Sequence, residues 1–209
     1  RATADLGGAI SADGRVRFRG VARYESGGND VDGYENEKYV LYGTVEADLT
    51  PDTLVRAGYA HQRSTPEGIL WGALPSFDSN GDFITWDKSQ TTSADWTYWN
   101  TTNSNLYVSA EHDWGNGWRA QVHYNFIRNR QQTELLYLSG VVDADTGVID
   151  SAFPYKDRGD SRQSSFNGQV NGAVNLFGRD HEVVLGGLHS RLRNYTDAFT
   201  ALTPVAGPD

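Results

Sequence analysis

The stretch from 105 to 130, NLYVSAEHDWGNGWRAQVHYNFIRNR, leaves the chain very few folds to adopt. Leu106, Val108, Ala110, His112 and Trp114 take the even positions of its first arm, and Asn105, Tyr107, Ser109, Glu111 and Asp113 the odd ones. In the second arm Trp118, Ala120, Val122, Tyr124 and Phe126 alternate with Arg119, Gln121, His123 and Asn125. Side chains of a strand point to opposite faces with period two, so each arm has one apolar and one polar face. Gly115-Asn116-Gly117 between them tolerates the positive φ of a tight hairpin turn. Trp114 and Trp118 flank that turn on the apolar face. Amphipathic rings at one end of a greasy strand suit a membrane–water boundary.

The same plan recurs along the chain. Residues 2–10 set Ala2, Ala4, Leu6 and Ile10 opposite Thr3 and Asp5, and 15–25 set Val16, Phe18, Ala22 and Tyr24 opposite Arg15, Arg17, Arg19 and Arg23. Residues 39–49 carry Tyr39, Leu41, Val45 and Leu49 against Tyr42, Thr44, Glu46 and Asp48. Strands follow over 53–63, with Val55, Ala57 and Tyr59, and over 163–177, with Phe166, Val170 and Val174. The eighth, 182–193, alternates least clearly. Turns after the first, third, fifth and seventh strands hold three or four residues, whereas 26–38, 64–104 and 131–162 are long connections.

Short and long connections that alternate strictly are the signature of an outer-membrane barrel, with short periplasmic turns and long outer loops. A soluble sandwich lacks this segregation of loop lengths. The expected fold is therefore all-β: an antiparallel up-and-down transmembrane β-barrel segment of about eight strands. Residues 1–209 read as one partial barrel domain with extracellular loops at 26–38, 64–104 and 131–162.

Composition fits this once the geometry is known. Only 38% of residues are hydrophobic, which a barrel explains because only every second residue faces lipid. No run approaches the roughly 18 apolar residues of a membrane-spanning helix. The chain starts at Arg1 without Met or a secretory leader and stops in a loop-like Thr203-Pro204-Val205-Ala206-Gly207-Pro208, so it reads as an excerpt of a longer, exported protein. With no cysteine there is neither a disulfide framework nor a thiolate metal site. The net charge of -9 argues against nucleic acid, which calls for a basic face.

If the strands at 15–25 and 39–49 pair, Arg17 and Arg19 fall near Glu46 and Asp48 on the lumen side. Cross-strand pairs of this kind contribute about 0.2–1 kcal/mol each. A solvated charge ladder and a surface that docks an internal plug are equally good readings of it.

Several segments carry a family resemblance. Pro66-Glu67-Gly68-Ile69-Leu70-Trp71-Gly72-Ala73-Leu74-Pro75, Phe77-Asp78-Ser79-Asn80-Gly81 and Asp95-Trp96-Thr97-Tyr98-Trp99 resemble the TonB-dependent ferric-siderophore receptors of the pyoverdine and coprogen type. Gly33-Tyr34-Glu35, Leu49-Thr50-Pro51-Asp52-Thr53, Asp113-Trp114-Gly115-Asn116-Gly117-Trp118 and Gly178-Arg179-Asp180-His181-Glu182 support it, so the likeness covers nearly the whole chain. The resemblance implies a plugged outer-membrane barrel of roughly twenty-two strands, of which this chain is an early part of the wall. It further implies a Gram-negative outer-membrane location, contact with outer-membrane lipid, and import of a ferric siderophore driven by the TonB complex. The plug through which TonB acts, the TonB box and the closing carboxy-terminal strand all lie outside this sequence.

On this resemblance the substrate-binding candidates are Trp71, Trp96 and Trp99, because similar receptors hold a bulky, partly aromatic chelate with loop and upper-wall aromatic rings. The plainer alternative makes them loop-packing anchors or part of the outer aromatic girdle. Tyr98, between the last two, points the other way in an extended segment. The iron arrives wrapped by its chelator, so no resident cofactor or protein metal site is expected. His61, His112, His123, His181 and His189 show no paired ligand spacing, and His112 shares the apolar face with Trp114. The Asp143 to Asp150 segment misplaces the glycine and twelfth acid of a calcium loop and reads as a hairpin tip; Asn80-Gly81 reads as another turn. No nucleophile elbow or phosphate-cradling loop is present, so the chain does not read as an enzyme. Two rival classes stand beside the receptor: a soluble Trp-rich carbohydrate-binding β-domain, and a complete eight-stranded membrane barrel acting as anchor or adhesin.

Overall fold

The computed structural model describes residues 1–200, so the loop-like stretch at 203–208 lies outside the described residues. Eight strands follow one another: β1 (Ala2–Ala9), β2 (Val16–Gly28), β3 (Glu35–Thr50), β4 (Thr53–Glu67), β5 (Tyr98–Asp113), β6 (Arg119–Val142), β7 (Ile149–Leu176) and β8 (Arg179–Thr200). They form one antiparallel sheet in the order of the chain. Every strand pairs with its sequence neighbour, the up-and-down arrangement of a barrel wall.

The register aligns the apolar series of adjacent strands into continuous rows. One row runs Gly8, Phe18, Val45, Ala57, Val108, Tyr124, Phe166 and His189 across all eight strands. Val45, Val108, Val122, Tyr124 and Phe166 are all exposed, and Val16, Phe18 and Val170 are only half-buried. A soluble sandwich would seal this face inside a second sheet, but among the described residues there is a single sheet. The row is the outward belt of a transmembrane wall. Trp118 closes it at the short-turn end, lying so flat over Gly172 that a Cβ there would sit 2.2 Å from the ring.

The polar series forms the inner face. Arg17 pairs with Asp48 and lies 3.6 Å from Glu46, and Arg56 bonds Glu46 at 2.6 Å and reaches Glu111 at 3.7 Å. The expected pairing of Arg17 with Glu46 and Asp48 is thus present. Arg19 departs from expectation: it bonds Asp5 on β1 at 2.6 Å. The register sets Arg19 opposite Gly7 and Thr44, and Asp5 is the acid within diagonal reach. Higher on this face the Tyr107 hydroxyl donates to Thr44 at 2.9 Å and lies 3.0 Å from that of Tyr42. Its ring covers Gly58, where a Cβ would come within 2.4 Å.

The strands run well past the expected ends at one edge of the sheet. The connections expected at 26–38, 64–104 and 131–162 shrink to 29–34, 68–97 and 143–148, because the strands on either side of each continue to pair, most of all β6 with 24 residues and β7 with 28. Above the belt both faces meet water or loop, so a strand there needs no apolar alternation and Gln131-Gln132-Thr133-Glu134 gives no period-two signal. The 143–148 tip is the hairpin turn expected there, with Gly147 at φ 73° and its N–H donating to the Asp143 carbonyl at 2.8 Å. Asn80-Gly81 is also a turn, closed by the Gly81 N–H on the Asp78 carbonyl at 3.0 Å.

β1 and β8 do not pair, so the eight strands leave two open edges instead of closing as a small barrel. Lipid offers such edges no hydrogen-bond partner. Residues 1–209 produced alone are expected to require detergent and to self-associate; a detergent-free monomer in sedimentation velocity would contradict this. In the intact protein, Gly58→Val drives a side chain into the Tyr107 ring and is expected to cost about 1–3 kcal/mol. Gly43→Ala, where nothing lies within 4 Å of the added carbon, serves as the control in thermal unfolding.

Candidate ligand vestibule at the long-loop end

The inner series of β6 and β7 continues above the belt as Gln131, Thr133, Leu135 and Tyr137 facing Gly159, Asp157, Tyr155 and Phe153. This extension turns from polar to aromatic as it rises. The 68–97 loop folds back onto that inner face. Trp71 lies 5.0 Å from the Tyr155 ring, 5.7 Å from Tyr137 edge-on at 70°, and 6.3 Å from Phe153. Offset and edge-to-face pairs of this kind contribute about 0.5–1.5 kcal/mol each beyond buried area. Gly72 sits at φ 108° and passes so near Tyr137 that a Cβ would lie 2.7 Å from the ring, so the backbone lets Trp71 drop into place only with glycine beside it.

Beneath the aromatic group is a buried polar knot. Asp157, 5% exposed, accepts hydrogen bonds from the Thr133 hydroxyl at 2.6 Å and the Gln131 amide at 2.8 Å, with the Tyr155 hydroxyl at 3.5 Å. Burial, and then the Asp157 carboxylate, push the Tyr155 phenol up. The knot fixes the floor on which Trp71 rests.

Hydrogen bonds fasten the loop at both sides. Gly68 donates to the Thr97 carbonyl at 2.9 Å, closing the loop at its base. Asp32 donates to Ser89 at 2.8 Å, and Ser79 to Val142 at 2.8 Å, so the loop is tied to the β2–β3 connection and to the β6–β7 tip. Trp86 donates its indole N–H to the Pro75 carbonyl at 2.7 Å, and Phe77 packs edge-on against Phe83 at 5.8 Å. At the tip, the Thr146 hydroxyl and the N–H groups of Thr146 and Asp145 hold the Asp143 carboxyl below its usual range.

The three candidate tryptophans are not gathered into one box. Trp71 sits in the aromatic group. Trp99 is half-buried on β5, opposite Thr133 in register and in the inner series. Trp96, just before β5, is 44% exposed. Tyr98 takes the other face, where its hydroxyl donates to Glu134 beside Lys156. Tyr137, Phe153, Tyr155 and Asp157 are not among the residues expected from the sequence; only the pairing of β6 with β7 puts them on the face of His123 and Asn125. Of the histidines, His112 meets Trp114 edge-on at 4.9 Å and Thr53 at 2.8 Å, an interfacial placement.

The sheet by itself defines a class: the wall of an outer-membrane β-barrel whose loop end carries an aromatic vestibule. Within that class the chain is similar to ferric-pyoverdine receptors over nearly its whole length. The ferripyoverdine receptor of Pseudomonas aeruginosa is 30% identical over 190 residues, covering 89% of this chain and 23% of the receptor. The ferric-pyoverdine BN7/BN8 receptor of Pseudomonas putida is 28% identical over 195 residues, covering 93% of this chain and 24% of that protein. The crystal structure of the Pseudomonas aeruginosa receptor bound to ferripyoverdine superposes with a TM-score of 0.91 at 28% identity, over 98% of this chain and 27% of that one. No family model matches the chain. The chain spans about a quarter of the length of these relatives. The solved receptor is one of the outer membrane, and this chain is an outer-membrane β-barrel segment.

Asp157→Ala leaves the buried Thr133 hydroxyl and the half-buried Gln131 amide without their partner. The expected cost is about 1–3 kcal/mol, read in the intact protein as a lower unfolding temperature and faster proteolysis within 68–97.

Proposed function

We propose that the protein to which this wall belongs binds and imports a ferric siderophore of the pyoverdine class, energised through TonB by a plug outside these residues. In this reading the long-loop end faces the exterior, and the short turns at 10–15, 51–52, 114–118 and 177–178 face the periplasm. The chelate enters above the belt and rests against Trp71, with Trp96 and Trp99 as further contacts. The iron stays with its chelator, so the wall contributes stacking and apolar surface and no ligand to the metal.

The observation that supports this reading most is the placement of Trp71. A girdle tryptophan would lie on the lipid side, yet Trp71 sits on the inner face against Tyr137 and Tyr155. A ring already backed by other rings loses little conformational freedom when a ligand stacks on it. The likeness to receptors that carry ferripyoverdine supplies the substrate class.

Trp71→Ala, Trp96→Ala and Trp99→Ala in the intact protein are each expected to weaken binding of ferric pyoverdine about three- to tenfold, the loss of one aromatic pair. Trp114→Ala, at the opposite end of the wall, is expected to change nothing. Titration by quenching of intrinsic fluorescence checks this. Unchanged affinity in all three would remove the site assignment and leave the fold untouched.

A further inference from the structure

We infer that the inner face of β6 and β7, with the upper part of β5, is the side of the wall along which the ferric chelate descends from the vestibule. This rests on the proposed function above and adds to it a path and the residues that line it.

The inner wall has two chemistries at one set of heights. On β1–β4 it carries Asp5, Arg17, Arg19, Arg23, Glu46 and Arg56. The register takes the row of Arg17, Glu46 and Arg56 across to Ser109, His123 and Asn167. It takes the row of Arg19 to Tyr107, Asn125 and Ser165, and that of Arg23 to Asn103, Asn129 and Ser161. At each of these heights the charge stops where β4 meets β5. The inner series of β6 reads His123, Asn125, Ile127, Asn129 and Gln131, against Asn167, Ser165, Gln163, Ser161 and Gly159 on β7. Neither strand places an Asp, Glu, Lys or Arg there, in a chain that is 22% charged.

The neutral side also keeps hydrogen-bonding capacity in hand. Gln163 donates to Ser190 at 3.1 Å, and Asn103 donates to Asn129. The amides of Gln121, Asn125, Asn167 and Gln169 make no side-chain hydrogen bond among the described residues, and all but Asn125 are exposed. The side-chain oxygen of Asn105 is shielded from water and likewise has no partner among the described residues.

Its extent matches a passage. The upper end is Gln131, which donates to Asp157 beneath the Trp71 rings. The lower end is Arg119, held by Asp113 at 3.2 Å beside the short turn. Twelve residues separate the two. At about 3.3 Å per residue and a tilt near 45°, they rise about 28 Å, enough to cross the roughly 25 Å lipid-facing band. A path has to bind its cargo well enough to be entered and weakly enough, at many sites, to be left. Hydrogen bonds to ions are roughly twice as strong as neutral ones, so the ionic side would hold a polar chelate in a few deep wells. Amides and hydroxyls both donate and accept, and offer many shallow steps instead.

A fixed cation on the neutral side is then a trap. Asn125→Lys and Asn167→Lys in the intact protein are each expected to slow cellular uptake of radioiron-labelled ferric pyoverdine about tenfold, with affinity held within about twofold. Val21→Lys, on the ionic side opposite Asp5, is expected to leave both unchanged. In case the lysine variants fold poorly, Asn167→Cys is folded first and then modified with a cationic or a neutral thiosulfonate of equal size. These 209 residues contain no other cysteine, and only the cationic adduct is expected to slow uptake. The inference is overturned if the lysine variants import at the full rate, if Val21→Lys slows uptake as much, or if the neutral adduct acts like the cationic one. Unaltered protein that fails to bind ferric pyoverdine removes the proposed function and this path with it; retained binding with unslowed import in the variants removes the path alone.

Discussion

Inside hydrocarbon a backbone N–H or C=O has no water to turn to, and each one left unpaired costs several kcal/mol. The architecture follows from that penalty. Strands satisfy it only through their neighbours, so the wall must be a continuous ladder, and β1 through β8 are joined at every step. Once the ladder is imposed, the side chains have two destinations, lipid and lumen, and alternate between them. The belt from Phe18 to Phe166 and the ionic face of Arg17, Glu46 and Arg56 are two sides of one constraint.

The constraint also explains which parts of the structure were legible in the sequence. Where lipid touches one face, alternation is enforced, and the two arms of the hairpin at 105–130, their faces and the turn between them were readable, although the strands extend beyond that stretch. Above the belt the enforcement stops. Gln131, Gln132 and Thr133 are strand residues because β6 and β7 continue to pair, a long-range fact that no local pattern encodes. The vestibule was hidden for the same reason. Trp71 was named from the resemblance of its segment, whereas Tyr137, Phe153 and Tyr155 lie in a stretch that read as loop, so their common face was invisible. Arg19 shows a smaller version of the problem: its face was clear, but its choice of Asp5 depended on pairing with β1.

The same strands thus do three jobs at three heights. At the short-turn end Trp114 and Trp118 mark the boundary. Mid-height side chains are apolar outward and polar inward. At the long-loop end the inward side becomes aromatic, with Asp157 and Thr133 buried beneath the rings. Each change of solvent along the wall is matched by a change of chemistry on that side alone, which period-two geometry permits without altering the backbone.

The stitching of the 68–97 loop has an engineering consequence. Asp32 bonds Ser89 on one flank and Ser79 bonds Val142 on the other, both through main-chain groups, so the neighbouring connections lean on this one. Grafting the segment from a related barrel would carry across its rings but strand the seams on either flank. A transplant of this segment must exchange the three tips as a set, like a keystone moved with its abutments.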